Sequence, residues 1–330
     1  MTVLDKIQMH FQNASSHPAG AVSYIRLRIG IKVSYTREQY KIKLWRLFIQ
    51  FGWLFSQPKK RSDYAIGLVT YLKRFDRQFK PNLKRLCKAF PDIQITVAVN
   101  GFGDQDRQKA YLKEIVTFCS QFKNVQMVLH ETPQSLSKLW NIIMLSGHPN
   151  GTLILNDDIR ITPFFREQIE LSGLFDTPIG IINHSWSHFW ITPSVVSRIG
   201  WFDERFPGVG EEDADFEARL AEGSISLPVC TTKHIYHLNC VSDELSYDQQ
   251  YTRHRAKYTK ENTAFFHEKW HLSDTMHEGY VWVRICLQWM KVKKGMETPN
   301  FYKNAGAESL LVKSRLVKPH KLRFKLYDSK

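Results

Sequence analysis

Four short apolar runs recur between residues 64 and 158, at 65–71, 93–99, 125–129 and 153–155, and the last runs straight into Asn156-Asp157-Asp158. Stretches of helical length separate them: one through Phe79, Leu83, Leu86 and Phe90, one over 105–122, and one over 133–146 that opens on a proline. Unbroken apolar runs of this length predict strands buried on both faces, and their alternation with helices predicts a mostly parallel α/β sheet covered on both sides by helices. Such sheets bind ligands beyond the carboxyl ends of their strands, which is where the Asp pair falls. A further strand is expected at 179–182 and a helix from near Glu211 to about Glu222.

Charge marks the boundaries of this body. The chain is net +14, yet residues 1–61 hold 11 Lys/Arg against 2 Asp/Glu and residues 281–330 hold 12 against 3. Each flank is net +9, and the middle, with 23 basic and 27 acidic residues, is net −4. The expected organisation is a basic amphipathic extension at 1–61, one domain at 62–280 and a basic extension at 281–330. Basic flanks suit an anionic membrane surface or nucleic acid, but an acidic centre without basic residues among stacking aromatics argues against nucleic acid as a partner. Residues 41–55 set Trp45, Phe48, Phe51, Trp53 and Phe55 among Lys41, Lys43 and Arg46. That pattern fits an interfacial helix, or one that docks its apolar face on the main domain. The most apolar run, 44–55, contains Arg46 and falls short of the ~20 residues a spanning helix needs. No signal pattern opens the chain, and the five cysteines are odd in number with no CxxC pair. The expected location is cytoplasmic, peripheral on the cytoplasmic face of the membrane.

Two constellations carry chemistry. Asp157 and Asp158 at the end of a buried strand repel one another unless a cation compensates, and hard oxygen donors at this density suit Mg²⁺ or Mn²⁺ with a diphosphate completing the set. A solvated turn closing the strand is the plainer alternative. The second constellation is Gly200-Trp201-Phe202-Asp203-Glu204-Arg205-Phe206, then Gly208, Gly210 and Glu211-Glu212-Asp213-Ala214-Asp215-Phe216-Glu217-Ala218-Arg219-Leu220. The glycines make a loop and the acids load a helix N-terminus, where the macrodipole favours negative charge. Asp215 is spaced to pair with Arg219, and a carboxylate on this turn is placed to act as a general base.

The segment 200–220 resembles the G-x-F-D-E-x-F … E-D-x-D-F-x-x-R pattern of family 2 glycosyltransferases, and Asn156-Asp157-Asp158 resembles their D-x-D motif in the right order and at a fitting distance. The resemblance covers about residues 64–240 and implies a GT-A fold, Rossmann-like, with a nucleotide-binding half at 62–160 and an acceptor half at 161–280. It implies that Asp158 holds a metal ion, with Asp157 assisting it or contacting the ribose. Asp213 would be the catalytic base, with Glu212 beside it. Thr70 and Tyr71 fall where the first strand ends under the nucleotide, and Asn141 resembles the Asn one helix before the D-x-D motif. Asn156 replaces the commoner first Asp. Asn100 stands where many relatives carry an Asp for the base or ribose, with Asp104 as its substitute. Relatives often add one His metal ligand after the catalytic helix. His237 is the first choice and His234 the second.

Cys230, His234, His237 and Cys240 could also compose a zinc site, but on a strand His234 and His237 point to opposite faces. In His184-Ser185-Trp186-Ser187-His188-Phe189-Trp190, aromatic rings suited to sugar faces cluster. Trp186 and Trp201 are the expected acceptor wall, and Trp190 is expected in the core. The implied function is metal-dependent, inverting transfer of a sugar from a nucleotide-sugar, a UDP-sugar favoured, to a saccharide or lipid-linked acceptor in surface polysaccharide synthesis. A catalytically idle membrane-associated scaffold and a nucleic-acid-binding protein are the rivals.

Overall fold

The computed structural model describes residues 61–237 and 249–270 and the short strands at 316–317 and 326–327. The fold is α/β, built on a mostly parallel central sheet. Strands β1 (Ala65–Thr70), β2 (Gln94–Val99), β3 (Val125–His130) and β4 (Thr152–Asn156) lie in the order β3-β2-β1-β4 and run parallel. In β3 every residue is buried, and β1 and β2 have one residue each that is not. Since neighbours along a strand face opposite sides, both sides of the sheet are covered. Helix α1 (Lys80–Ala89) follows β1, α2 (Gln105–Cys119) follows β2, and α3 (Leu136–Leu145) follows β3. Asp104 caps α2 and Ser135 caps α3 through their side-chain oxygens. Gly67 lets α3 approach: a Cβ there would stand 2.0 Å from Ile143 Cγ2.

The chain between β1 and α1 is irregular. A 3-10 turn at Leu72–Arg74 leads into a π-helical turn at Phe75–Phe79. Pro81, at the start of α1, has no amide hydrogen for the Arg77 carbonyl. That carbonyl instead accepts from Arg160 Nη2 at 3.0 Å. Arg160 lies on β5 (Ile159–Ile161), immediately past the Asp pair.

Beyond β4 the sheet turns antiparallel. After α4 (Phe165–Leu171) come β6 (Ile179–Ile182) and β7 (Ser185–Ile191), with β7 between β4 and β6 and antiparallel to both. Helix α5 (Pro193–Ile199) and the glycine loop then lead to α6 (Glu212–Glu222), and β8 (Val229–Cys230) joins β6. Strand β9 (Ile235–His237) pairs with β5 in a separate ribbon, and α7 spans Gln249–Trp270. Strands β10 (Leu316–Val317) and β11 (Leu326–Tyr327), from within the segment expected as a C-terminal extension, pair with β3.

The expected Trp186 and Trp201 acceptor wall is corrected here. Trp186 is 5% exposed and Trp201 7%, both in the core cluster with Trp140, Phe189, Phe202 and Phe216. No ring face remains for a sugar to stack on. The aromatic run 184–190 is largely strand β7: Trp186 packs on Phe216 of α6 and Phe189 on Phe202, while Trp190 is core as expected, against Tyr64 and Phe175. Residues 1–60 of the extension expected at 1–61, with its aromatic stretch, and Cys240 lie outside the described residues. Arg61 is bound to the main domain, its carbonyl accepting from Arg166 at 2.8 Å. Among the described residues no helix is long and apolar enough to cross a membrane.

Candidate active site

The carboxyl ends of β1, β2 and β4 meet at one edge of the sheet. Val69 is in register with Asn156 and Thr70 with Val99, so Thr70-Tyr71, Asn100 and Asn156-Asp157-Asp158 emerge side by side. Asn82 on α1 supports the aspartate turn from behind, its amide donating to the Asn156 carbonyl at 3.2 Å and that of Asp157 at 3.4 Å. Both aspartates are buried, Asp157 1% and Asp158 0% exposed. Burial raises the Asp157 pKa and Asp158 adds to the rise, while Arg74 opposes it. The Thr70 hydroxyl, buried at the end of β1, also favours the charged form of Asp157.

Arg74 brings a cation to these carboxylates. Its Nη1 lies 2.9 Å from Asp157 Oδ1 and 3.2 Å from Asp158 Oδ2, and its guanidinium also sits 5.4 Å from the centre of the Tyr71 ring. The sequence reading required a compensating cation but did not identify Arg74, although Lys73-Arg74 directly follows the first strand.

The second part of the site is the loop before α6. Gly208 and Gly210 take positive φ of 64° and 126°, and Glu211, without a glycine's freedom, takes 67°. Helix α7 holds this shape. Asn262 Nδ2 donates to the Pro207 carbonyl at 2.9 Å and the Gly210 carbonyl at 2.8 Å, and Thr263 Oγ1 donates to Glu211 Oε1 at 3.0 Å. The Leu136 amide at the start of α3 donates to the Gly208 carbonyl at 2.8 Å. Glu212 is 4% exposed and accepts from the Gly210 amide. Burial, then the Asp213 charge, push its carboxyl up to about 8. Asp213 stands half-buried in the first turn of α6, accepting from the Ala214 amide at 2.9 Å.

A short chain of contacts puts both parts at the same end of the sheet. Leu155 on β4 is in register with His188 on β7, so Trp186 lies beside the exit of β4. The Trp186 indole donates to Glu217, one helical turn along α6 from Asp213.

Several expected ligands have other employment. Asn141 is wholly buried: Oδ1 accepts from the Phe202 amide at 2.9 Å, and Nδ2 donates to the Phe202 carbonyl at 2.9 Å and to Glu204 at 3.0 Å. It ties α3 to the loop at 200–206 instead of facing a donor. Asn100 Oδ1 accepts from the Gly101 and Gln134 amides, each at 2.8 Å, and Nδ2 donates to the Gln134 carbonyl. This fastens the loop after β3 to the end of β2. The Asp104 carboxylate caps α2 through the Arg107 amide. Asn141, with both side-chain atoms bonded inside the core, is therefore corrected as a nucleotide ligand, whereas half-buried Asn100 and exposed Asp104 stay at the carboxyl end of β2. His234, the second-choice metal ligand, has Nδ1 2.8 Å from Thr162 Oγ1, a bond that engages one of its two ring nitrogens. His237 is placed by its backbone beside Ile159, the residue after Asp158.

The motif acids that remain are structural. Asp203 and Asp215 are 0% exposed and share Lys269 of α7, with Arg205 on Asp203 and Arg219 on Asp215. Burial favours the neutral form of Asp203, but the Arg205 hydrogen bonds and the Lys269 charge outweigh it and hold the pKa at about 2. Asp215 pairs with Arg219 as its spacing predicts. Asn262 and Lys269, which sequence reasoning missed, lie more than 50 positions from the loop they hold.

A divalent ion implied by the resemblance meets hard oxygen donors at Asp157 and Asp158, and Asp157 Oδ2 is buried without a hydrogen bond. The set is partial. Among the described residues no group of three or more His, Cys, Asp or Glu is spaced to hold a metal, so the remaining oxygens would come from a diphosphate.

No protein-family model matches the chain, and no curated protein matches it. Among solved structures it is similar to the glucosyl-3-phosphoglycerate synthase of Mycobacterium tuberculosis in complex with Mn²⁺, uridine-diphosphate and phosphoglyceric acid. The TM-score is 0.38 and the identity 11%, over 58% of this chain and 78% of that one. The same synthase with Mn²⁺, uridine-diphosphate and glucosyl-3-phosphoglycerate gives 0.35 and 11%, over 59% and 80%.

Proposed function

We propose that the chain is a metal-dependent glycosyltransferase that inverts the anomeric carbon of a nucleotide-sugar. The observation that carries this reading is a buried Asp157-Asp158 pair at the carboxyl end of β4, with the acidic first turn of α6 at the same end of the sheet. Asp158 and Asp157 would hold Mn²⁺ or Mg²⁺, with oxygens of the diphosphate completing the set. The ion's chemistry is to neutralise charge on the leaving diphosphate. Thr70, Tyr71 and Asn156, at the ends of β1 and β4, line the donor side.

The bond changes need one base. The Asp213 carboxylate takes the proton of an acceptor hydroxyl as that oxygen bonds to the anomeric carbon. The bond from that carbon to the diphosphate breaks on the opposite face, and its electron pair leaves with the diphosphate. Glu212, buried and bonded to the Gly210 amide, shapes the loop that presents Asp213.

The donor is a nucleotide-sugar, with a UDP-sugar favoured. A saccharide or lipid-linked acceptor in surface polysaccharide synthesis, met at the cytoplasmic face of an anionic membrane through the basic flanks, completes the proposal. A catalytically idle scaffold is the second reading, favoured by Arg74 occupying the aspartates. Turnover of any sugar nucleotide excludes it.

A melting-temperature panel of UDP, GDP, CMP and their sugars, with and without Mn²⁺, tests the function. A ligand at 100 times its Kd adds ~2.7 kcal/mol of stability. One nucleoside diphosphate is expected to stabilise the protein in the presence of Mn²⁺ and to lose that effect in Asp158→Ala. If no nucleotide stabilises the protein under any condition, the proposal is wrong.

A further inference from the structure

Arg74 forms an ion pair with each of the two carboxylates proposed to hold the metal, at 2.9 Å and 3.2 Å. Its side chain is 14% exposed, against 1% for each aspartate, so the guanidinium closes the solvent side of a buried acidic pair. The fold builds this contact deliberately: Asn82 holds the aspartate turn through two backbone carbonyls, and Arg160 braces the π-turn that follows Arg74. A divalent ion on the same oxygens would face a fixed positive charge within a few ångströms, and like charges at that separation repel strongly in a site screened from water.

We propose that Arg74 is an internal counter-ion that competes with a divalent cation for Asp157 and Asp158, so that the cation binds firmly only together with an anionic diphosphate that draws the guanidinium away. A guanidinium presents paired N–H donors that match phosphate oxygens as well as carboxylate oxygens. The exchange therefore leaves Arg74 paired in both states. The aspartates trade one positive partner for another, and no buried carboxylate is left bare at any stage. Donor and metal then enter as a pair, and the protein without donor holds the metal weakly. This rests on the metal-site reading of Asp157 and Asp158.

The test is a titration with Mn²⁺ alone, followed by the electron paramagnetic resonance signal of free manganese. It compares wild type, Arg74→Ala, Arg74→Lys and the double variant Arg74→Ala/Asp158→Ala, each checked for folding by circular dichroism. Removing the charge-assisted pair is expected to tighten Mn²⁺ binding by roughly ten- to a hundredfold in Arg74→Ala. Arg74→Lys, which keeps the charge, stays near wild type, and the double variant loses the gain. Wild type is expected to bind Mn²⁺ firmly once UDP is added. Equal Mn²⁺ affinity in folded wild type and Arg74→Ala overturns the counter-ion role while leaving the metal site standing if UDP still promotes binding. Failure of every variant to hold Mn²⁺, with or without UDP, overturns the metal site itself and this inference with it.

Discussion

The Lys269 ammonium on α7 lies 2.5 Å from Asp215 Oδ1 on α6, and both side chains are 0% exposed. The same nitrogen is 2.8 Å from Asp203 Oδ2 in the loop before α6, and the Trp270 indole donates to Asp215 Oδ1 at 2.9 Å. One buried cation thus binds the end of α7 to the loop at 200–206 and to α6. Asn262 and Thr263, on the same helix, bind the next stretch of loop, 207–211. The helix that follows the motif in sequence is what gives the motif its shape.

Lys269→Met should therefore be severely destabilising. It leaves two buried carboxylates with one fewer partner, and breaking a buried ion pair from one side costs about 3–5 kcal/mol. Urea denaturation followed by tryptophan fluorescence measures the loss. A variant within about 0.5 kcal/mol of wild type, the range of an ordinary surface change, would show that the cluster is not holding α7 in place.

Glu212 gives stability a pH dependence with a definite sign. Its carboxyl is raised from an ordinary 4.5 to about 8, first by burial and then by the Asp213 charge. The folded protein therefore holds this proton more tightly than the unfolded chain does. The contribution is fully present below pH 4.5 and is lost as pH rises through about 8, with a slope of at most ~1.4 kcal/mol per pH unit. Glu212→Gln should flatten this part of the profile and exceed wild type in stability at pH 8. Unfolding curves at pH 5, 6.5 and 8 compare the two, and parallel profiles would contradict the shift.

Much of the sheet was legible because β1 to β4 are buried on both faces, and that burial writes unbroken apolar runs into the chain. The Asp215–Arg219 pair was legible because its partners sit one helical turn apart. Strand β7 was read as a sugar-facing aromatic cluster because Trp186 and Phe189 find their partners Phe202 and Phe216 far along the chain. Arg74 and Asp157 are separated by 83 positions, and Lys269 and Asp203 by 66. Periodicity reports only neighbours within a turn or a strand, so contacts of this kind leave no local trace. Asn141 was misread for a related reason: a polar side chain near a strand end serves a ligand or the fold's own amides, and only its buried partners Phe202 and Glu204 distinguish the two.

The basic N-terminal flank carries a separate prediction. Each basic residue near an anionic bilayer contributes ~1 kcal/mol, while buried aromatics add attraction that salt does not screen. Deleting residues 1–60 spares Arg61 and its bond to Arg166. The truncated protein is expected to stay folded and to act on soluble acceptors, but no longer to sediment with phosphatidylserine vesicles. Absence of vesicle binding by the full chain at low salt would remove the membrane role.

Asp213 and Glu212 are adjacent carboxyls with opposite surroundings, and that contrast decides which is the base. Glu212 is buried, with its pKa raised to about 8, so at neutral pH it is mostly protonated and committed to the Gly210 amide. Asp213 is only half-buried and lies at the N-terminus of α6, where the macrodipole favours its charged form. Asp213→Asn keeps the size of the side chain and an oxygen able to accept from the Ala214 amide, but removes the proton acceptor. Turnover should fall ~10²–10⁴-fold, the usual contribution of a general base, with donor binding unchanged. Glu212→Gln keeps an acceptor for Gly210 and should cost far less. Steady-state rates of both variants on one donor, beside calorimetric donor affinities, separate the roles. If Glu212→Gln abolishes turnover while Asp213→Asn retains it, the base is the buried residue, working in its charged form, and the assignment shifts by one position.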